Sequence, residues 1–341
     1  MLQAVMVQPG KIEFHEVERP KPSNHEVLIK IKKIGVCGSD IHVFHGLHPY
    51  TSYPVVQGHE VSGAVVEVGA QVTGFAPGDK VTFMPQVTCG TCYPCRHGMY
   101  HICDSLKVMG FQTSGAGQEY FLVPEQFTMK LPENMSYEAG AMIEPVAVAV
   151  HALSRAQEDI AGKKIVLFGA GPIGNLVGQV AKGLGAALVM IVDLSDFRLA
   201  KAKECGIDFT VNPAQEDVSK AILNNFGPDR ADLMLECVGV EATMTQAIAC
   251  ARKGTKIIVV GVFGKKPTVD LGLVQDRELS LIGTLMYQKK DYETAIELAK
   301  ANKLCLDPLV TDRFPFSSYL EAYHYIDKAK DRAMKVMITV G

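Results

Sequence analysis

The chain has 341 residues, 48% of them hydrophobic and 21% charged, with a formal net charge of −3 and nine cysteines. That length accommodates two domains with cores of their own. The near-neutral charge, without a Lys/Arg-rich block or tail, argues against nucleic acid as a main partner.

The opening "MLQAVMVQPGKIEF" lacks a basic segment followed by an apolar core. The most apolar stretch, 165–193, is interrupted by Asn175, Gln179 and Lys182. Neither a secretory signal nor a membrane span is therefore expected. A cytoplasmic, reducing location follows as an expectation, in which clustered cysteines serve metals or catalysis rather than disulfides.

Along the first ~145 residues, short runs such as "AVMV", "EVLIKIKKIGV", "EVSGAVVEVG", "DKVTFMP" and "QEYFLVP" alternate with Gly and Pro. They predict an irregular, mostly antiparallel β domain. From Lys163 the character changes. Six apolar runs ("KIVLFG", "LVMIVD", "FTVN", "ADLMLECVG", "KIIVVG", "LSLIGT") alternate with helical periodicities that close on glycine. This pattern predicts a doubly wound parallel sheet. Beyond Gly283 the pattern is mixed again, with a helix over "DYETAIELAKAN" and a last strand "KVMITV". The expected organisation is an α/β chain. Residues 1–147 form the β domain, 286–341 return to it, and 148–285 are inserted as the nucleotide domain.

The stretch "CGTCYPCRHGMYHIC" places Cys89, Cys92, Cys95 and Cys103 at spacing C-x2-C-x2-C-x7-C. The odd cysteine total rules out a complete disulfide framework, and a short loop can wrap four thiolates around one zinc at about 2.3 Å each. An iron–sulfur cluster is the rival for the same sulfurs. A second set of ligand types is Cys37 in "GVCGSDIHVFHG", His59 and Glu60 in "GHE", and Glu144 in "MIEPVAVAVHA". Singly, each also reads as a core thiol, a loop histidine or a solvated carboxylate. Downstream, Gly169, Gly171 and Gly174 form G-x-G-x-x-G between a predicted strand and a helix, and Asp193 ends the next strand nineteen residues later. This context suits a dinucleotide, whose pyrophosphate meets the helix N-terminus. Asp193 would accept the adenosine ribose hydroxyls and repel a 2′-phosphate, favouring NAD over NADP.

Taken together, "GVCGSDIH", "GHE", "GDKV", the four-cysteine lobe, "EPVAVAVHA" and "GAGPIG" closely resemble the zinc-dependent medium-chain alcohol and polyol dehydrogenases, over essentially the whole chain. The nearest branch is that of the sorbitol, L-galactonate and L-threonine dehydrogenases. The resemblance implies a GroES-like β catalytic domain with an inserted Rossmann domain. It implies two zincs per chain: a structural one on Cys89, Cys92, Cys95 and Cys103, and a catalytic one drawn from Cys37, His59, Glu60 and Glu144. Either glutamate can be the direct ligand, or the two can alternate with a water, and Glu144 stands where the alcohol branch has a cysteine. Zinc acts as a Lewis acid on a substrate hydroxyl. Ser39 and His42 fall at proton-relay positions, and Asp40 at an orienting one. The cofactor set extends to Pro172, Ile173, Arg198, Val260, Gly261, Val262, Thr284 and Leu285.

The implied reaction is hydride transfer to NAD from a secondary hydroxyl of a polyol or sugar acid, with Glu144 and Tyr287 on the substrate, and Phe44 or His48 also in the pocket. The Arg-Tyr pair of sorbitol dehydrogenases is Met286-Tyr287 here, which counts against sorbitol itself. A sugar-acid carboxylate would call for a cation such as Lys289 or Lys290. A homotetramer joined along the nucleotide-domain sheet edge is implied as well. Alternatives are a threonine or 2,3-butanediol dehydrogenase and, from another class, a zinc-ribbon binding module. Only Arg96, His97, His101 and Lys107 lend that lobe positive charge, too little for phosphate.

Overall fold

The computed structural model describes residues 1–341. They divide into two compact units, one of Met1–Glu144, Gln288–Tyr292 and Val310–Gly341, the other of Pro145–Tyr287 and Glu293–Leu309. In the first, β1 (Leu2–Gln8) and β2 (Lys11–Glu16) form a hairpin, followed by β3 (Glu26–Val36), β4 (Glu60–Val68) and β5 (Lys80–Phe83). Next come the short pair β6 (Gln86–Val87) and β7 (Lys107–Val108), then β8 (Tyr120–Pro124) and β9 (Thr128–Lys130). The last two strands of the chain, β16 (Val310–Pro315) and β17 (Lys335–Thr339), complete a sheet of order β16-β17-β3-β4-β5-β9, with β8 also on β3.

β3 occupies the span its β-branched run predicts, because Val27, Ile29 and Ile31 fill the core with Val65, Phe121 and Val123. Register decides where the chemistry gathers. Gly35 stands opposite Glu60 and Val36 opposite Val336. Cys37, Glu60 and Lys335 therefore come to one end of three adjacent strands.

The second unit holds β10 (Lys164–Phe168), β11 (Leu188–Val192), β12 (Phe209–Val211), β13 (Leu233–Glu236), β14 (Lys256–Val259) and β15 (Ser280–Gly283). All pairs are parallel, in the order β12-β11-β10-β13-β14-β15. Counted within the unit this is 3-2-1-4-5-6, the order of dinucleotide-binding sheets. Helices cover the sheet, so its central strands are buried on both faces and read as continuous apolar runs; Ile165 to Phe168 are all fully buried.

Two elements of the first unit escaped the sequence reading: β16 and the helix Tyr319–Ala329. The helix buries Tyr319, Ala322 and Tyr323, the i, i+3, i+4 stripe of "YLEAYHYIDKA", and its aromatics mask that period. No helix is long and apolar enough to cross a membrane.

Candidate active site and metal centres

In the cysteine lobe, the four sulfurs of Cys89, Cys92, Cys95 and Cys103 all lie within 4.8 Å of one another. Cys103 Sγ is 3.5 Å from Cys89 Sγ and 3.7 Å from Cys92 Sγ. Four thiolates at about 2.3 Å in a tetrahedron stand roughly 3.8 Å apart, so the cage fits zinc. Backbone N–H groups already point at these sulfurs. Cys92 donates to Cys89, while Cys89 and Ser105 donate to Cys103, each at 3.4 Å. The N–H groups of Thr91 and Cys92 lower the Cys89 thiol to about 6, whereas desolvation and the neighbouring sulfurs push Cys95 up to about 12. Four thiolates cannot crowd together without a cation, which is what zinc supplies. The segment 288–292 braces the lobe: Gln288 Nε2 donates to Gly98 O at 2.7 Å, and the Lys289 N–H donates to the Tyr100 hydroxyl at 2.7 Å.

In the second cluster His59 and Glu60 are buried and Cys37 is half-buried. Ligand atoms of Cys37, His59 and Glu60 lie within 4.8 Å of one another. Cys37 caps the helix Gly38–Phe44, and its N–H donates to Asp40 Oδ2 at 2.8 Å. The other oxygen of Asp40, Oδ1, is 3.6 Å from His59 Nδ1, a buried nitrogen with no hydrogen bond of its own. Burial disfavours charge on this ring, but Asp40 and the Cys37 sulfur outweigh it and hold the His59 pKa well above the ordinary value. A carboxylate beside Nδ1 is the partner with which metal-ligating histidines commonly hold an Nδ1 proton and present Nε2 to the metal.

Asp40 is itself fixed. Gln57 Nε2 donates to Oδ1 at 3.1 Å, and Tyr323 OH donates to Gln57 Oε1 at 3.1 Å. Behind Glu60 lies Lys335, whose ammonium sits 2.6 and 2.5 Å from the two carboxylate oxygens with both side chains buried. Burial alone would strip the lysine of its proton; Glu60 overrides this and raises its pKa. Glu144, second residue of the helix Ile143–Ser154, is buried, and its charge is felt at His59 and Lys335, although it stands outside the three-residue cluster. A thiolate, an imidazole and a carboxylate, with a second carboxylate near, are a donor set that suits zinc.

Ser39 and His42 lie on that same helix, three residues apart on one face; Ser39 is half-buried and His42 exposed. The ring of Phe111 is 4.9 Å from that of His59 and stacks on His48 at 4.7 Å. Phe111 also walls a cavity of about 560 Å³ together with His15, Tyr50 and Thr113. Tyr287 is fully buried in the second unit. Gln57, Phe111, Tyr323 and Lys335 carried no motif, and only the topology brings them here.

In the second unit the glycine-rich turn follows β10. Gly169 has φ +104°, where a side chain is strained, and a Cβ on it would also meet Val238 at 2.7 Å. A Cβ on Gly174 would collide with the Gly169 carbonyl. Pro172 begins the helix Pro172–Gly183, followed by Ile173. Asp193, just beyond β11, accepts from the Ala170 N–H at 2.7 Å through one oxygen and from the Ser195 N–H at 2.8 Å through the other. Each oxygen keeps a lone pair for a ribose hydroxyl. The Arg198 guanidinium stands 4.0 Å from where a Gly171 Cβ would be. Val260, Gly261 and Val262 follow β14, and Thr284 and Leu285 follow β15; Val262 and Leu285 are exposed. All these residues cluster beyond the carboxyl ends of parallel strands, where such sheets bind ligands.

Comparison with known proteins agrees with this geometry. Residues 23–133 match the alcohol dehydrogenase GroES-like domain, and residues 172–301 match the zinc-binding dehydrogenase family. The chain is similar to a sorbitol dehydrogenase of Halalkalibacterium halodurans, 36% identical with 99% of each chain covered. It is also similar to an L-threonine 3-dehydrogenase of Pyrococcus horikoshii, 34% identical with 99% of each covered. Among solved structures, galactitol-1-phosphate dehydrogenase from Escherichia coli superposes with a TM-score of 0.92 at 32% identity, covering 99% of this chain and 100% of that one. The chain belongs to the zinc-dependent medium-chain alcohol and polyol dehydrogenases. It is accordingly an oxidoreductase of the NAD(P)- and zinc-dependent class, and the zinc-ribbon binding-module reading is not favoured.

Proposed function

We propose that this dehydrogenase oxidises a secondary hydroxyl of a polyol or sugar acid with NAD. The observation that carries the reading is the Cys37–His59–Glu60 cluster with the additional carboxylate of Glu144 beside it. When bound there, zinc supplies Lewis acidity that lowers the pKa of an alcohol. Cys37, His59 and Glu60 are its protein ligands. Glu144 accepts a hydrogen bond from a second hydroxyl, which a simple alcohol lacks. Ser39 takes the proton from the reacting hydroxyl and His42 delivers it to water, consistent with the exposure of His42. Phe111 shields the His59 side of the pocket from solvent.

In the second unit, Gly169, Gly171 and Gly174 let the backbone approach the pyrophosphate, and Asp193 disfavours a 2′-phosphate. A second zinc on the four cysteines holds the lobe. The protein acts in the cytoplasm, as a homotetramer joined through the free edge of β15, the last strand of its sheet.

The test is the initial rate of NADH or NADPH formation across sorbitol, xylitol, galactonate, gulonate, threonine, 2,3-butanediol and ethanol. The highest specificity constant should fall on a polyol or sugar acid with NAD; a maximum on threonine or ethanol refutes the substrate class. Asp193→Ser should narrow the preference for NAD over NADP. The tetramer fails if light scattering at micromolar concentration gives a monomer.

A further inference from the structure

Four cysteines lie outside both metal clusters: Cys205, Cys237, Cys250 and Cys305. Two of them face one another across a hundred residues of sequence. Cys205 caps the helix Asp196–Glu204, and its N–H donates to Lys201 O at 3.0 Å. Cys305 lies in the segment after the helix Lys289–Lys300.

Both backbones are pinned. The side-chain amide of Gln179, buried within the second unit, clamps Cys305 from both sides. It accepts from the Cys305 N–H at 2.7 Å and donates to the Cys305 carbonyl at 3.1 Å, while also donating to Asn175 Oδ1 at 2.8 Å. The Cys205 sulfur is 3.5 Å from the Cys305 carbonyl oxygen, so the two residues are in direct contact. The two thiols differ in access: Cys305 is exposed and Cys205 buried. Burial, with Cys305 alongside, pushes the Cys205 thiol up to about 12, so it stays protonated and unattractive to an oxidant.

We propose that Cys305 and Cys205 form a reversible disulfide when the protein meets hydrogen peroxide. The thiolate of Cys305 attacks one peroxide oxygen, the O–O bond breaks, and Cys305 becomes a sulfenic acid as hydroxide leaves and is protonated to water. The sulfur of Cys205 then attacks the Cys305 sulfur. The S–S bond forms, the S–O bond breaks, and the Cys205 proton leaves with the hydroxide as a second water. Two thiols lose two electrons and two protons, and one peroxide is reduced to two waters. The cross-link closes a loop that holds β12 to β15, so it restricts the unfolded chain in the dinucleotide unit and leaves both zinc clusters untouched. A dithiol reductant reverses it.

The pair can be read without interference from the zinc cysteines. Trypsin releases Cys205 within 204–220 and Cys305 within 304–313, each the sole cysteine of its peptide. Zinc-loaded full-length protein is treated with hydrogen peroxide, alkylated with iodoacetamide and digested without reduction. Mass spectrometry should find the two peptides joined, lighter by two hydrogens than their sum, and separated again by dithiothreitol. In Cys305→Ser, Cys205 should remain alkylatable. In Cys205→Ser, Cys305 should stop at the sulfenic acid and react with dimedone. Oxidised wild type should unfold several degrees higher than reduced wild type, a shift absent in Cys305→Ser. The proposal is overturned if Cys305 oxidises past the sulfenic acid while Cys205 stays alkylatable, or if both remain alkylated after peroxide.

Discussion

The two metal clusters are built in opposite ways. The cysteine lobe takes all its ligands from fifteen consecutive residues, with its own N–H groups aimed at the sulfurs. The Cys37–His59–Glu60 cluster takes its ligands from the ends of β3 and β4 and its support from Gln57, Tyr323 and Lys335, up to 275 residues away. A local cage depends on its metal and on few distant contacts, here those of Gln288 and Lys289. A dispersed one depends on the whole first unit being correctly folded, and its behaviour can be tuned from far outside it.

Removing Lys335 is the harshest way to separate the two. With the buried cluster emptied of metal, Lys335→Met leaves the Glu60 carboxylate buried and unpaired, which should cost about 3–5 kcal/mol in denaturant unfolding. The double change Lys335→Met with Glu60→Gln should recover much of that loss, because the uncompensated charge is gone. Zinc in the lobe should be unaffected. Equal losses in the single and double variants would mean that the lysine acts through packing alone.

Tyr323→Phe is subtler. It deletes one hydroxyl from the chain Tyr323–Gln57–Asp40–His59, and supports of this kind typically change metal affinity by about 10- to 100-fold. At two positions removed from the ligand, the lower end is expected: about tenfold faster zinc loss to a chelator from the buried cluster, with the lobe unchanged. Loss at the same rate from both clusters would contradict the network.

The smallest effect concerns another long-range assembly. Glu138 accepts from Arg313 Nη2 at 2.8 Å and from Lys33 Nζ at 2.8 Å, and these partners, Arg313 first, hold its carboxyl at about 2 against an ordinary 4.5. A depressed carboxyl stabilises the fold above its unfolded pKa and loses that contribution as pH falls through the folded one. The stability difference between wild type and Glu138→Gln should therefore be full above pH 4.5 and shrink to nothing as the pH approaches 2. Metal loss in acid affects both proteins, so the difference isolates this carboxyl. A difference that does not change across that window would remove the ion pair from the account.

What could be read in the sequence follows the same division. The four cysteines and the glycine-rich turn were legible because spacing alone defines their geometry. The parallel strands were legible because burial on both faces makes them apolar throughout. β3 showed its full length because its β-branched run matches its pairing.

The support of the buried cluster was not legible, for a physical reason. Lys335 reads as the polar start of "KVMITV", and only the register of β17 on β3 brings it to Glu60. Tyr323 lies in a helix whose aromatics hide its period. Phe111 sits in a glycine-rich loop that no pattern distinguishes. Asp193 was read as a ribose acceptor, and its two N–H bonds give it a further task, holding the glycine turn against the end of β11.

The central claim is that one chain holds two zincs in two independent clusters and that only the dispersed one is catalytic. Metal analysis of wild type, Cys37→Ala and Cys92→Ser, paired with NADH formation on the preferred substrate, tests it directly. The account predicts two zincs in wild type and one in each variant, with Cys37→Ala folded but inactive by at least about a hundredfold. Iron with sulfide in wild type, or a Cys37→Ala protein that keeps both zincs or its activity, would contradict it.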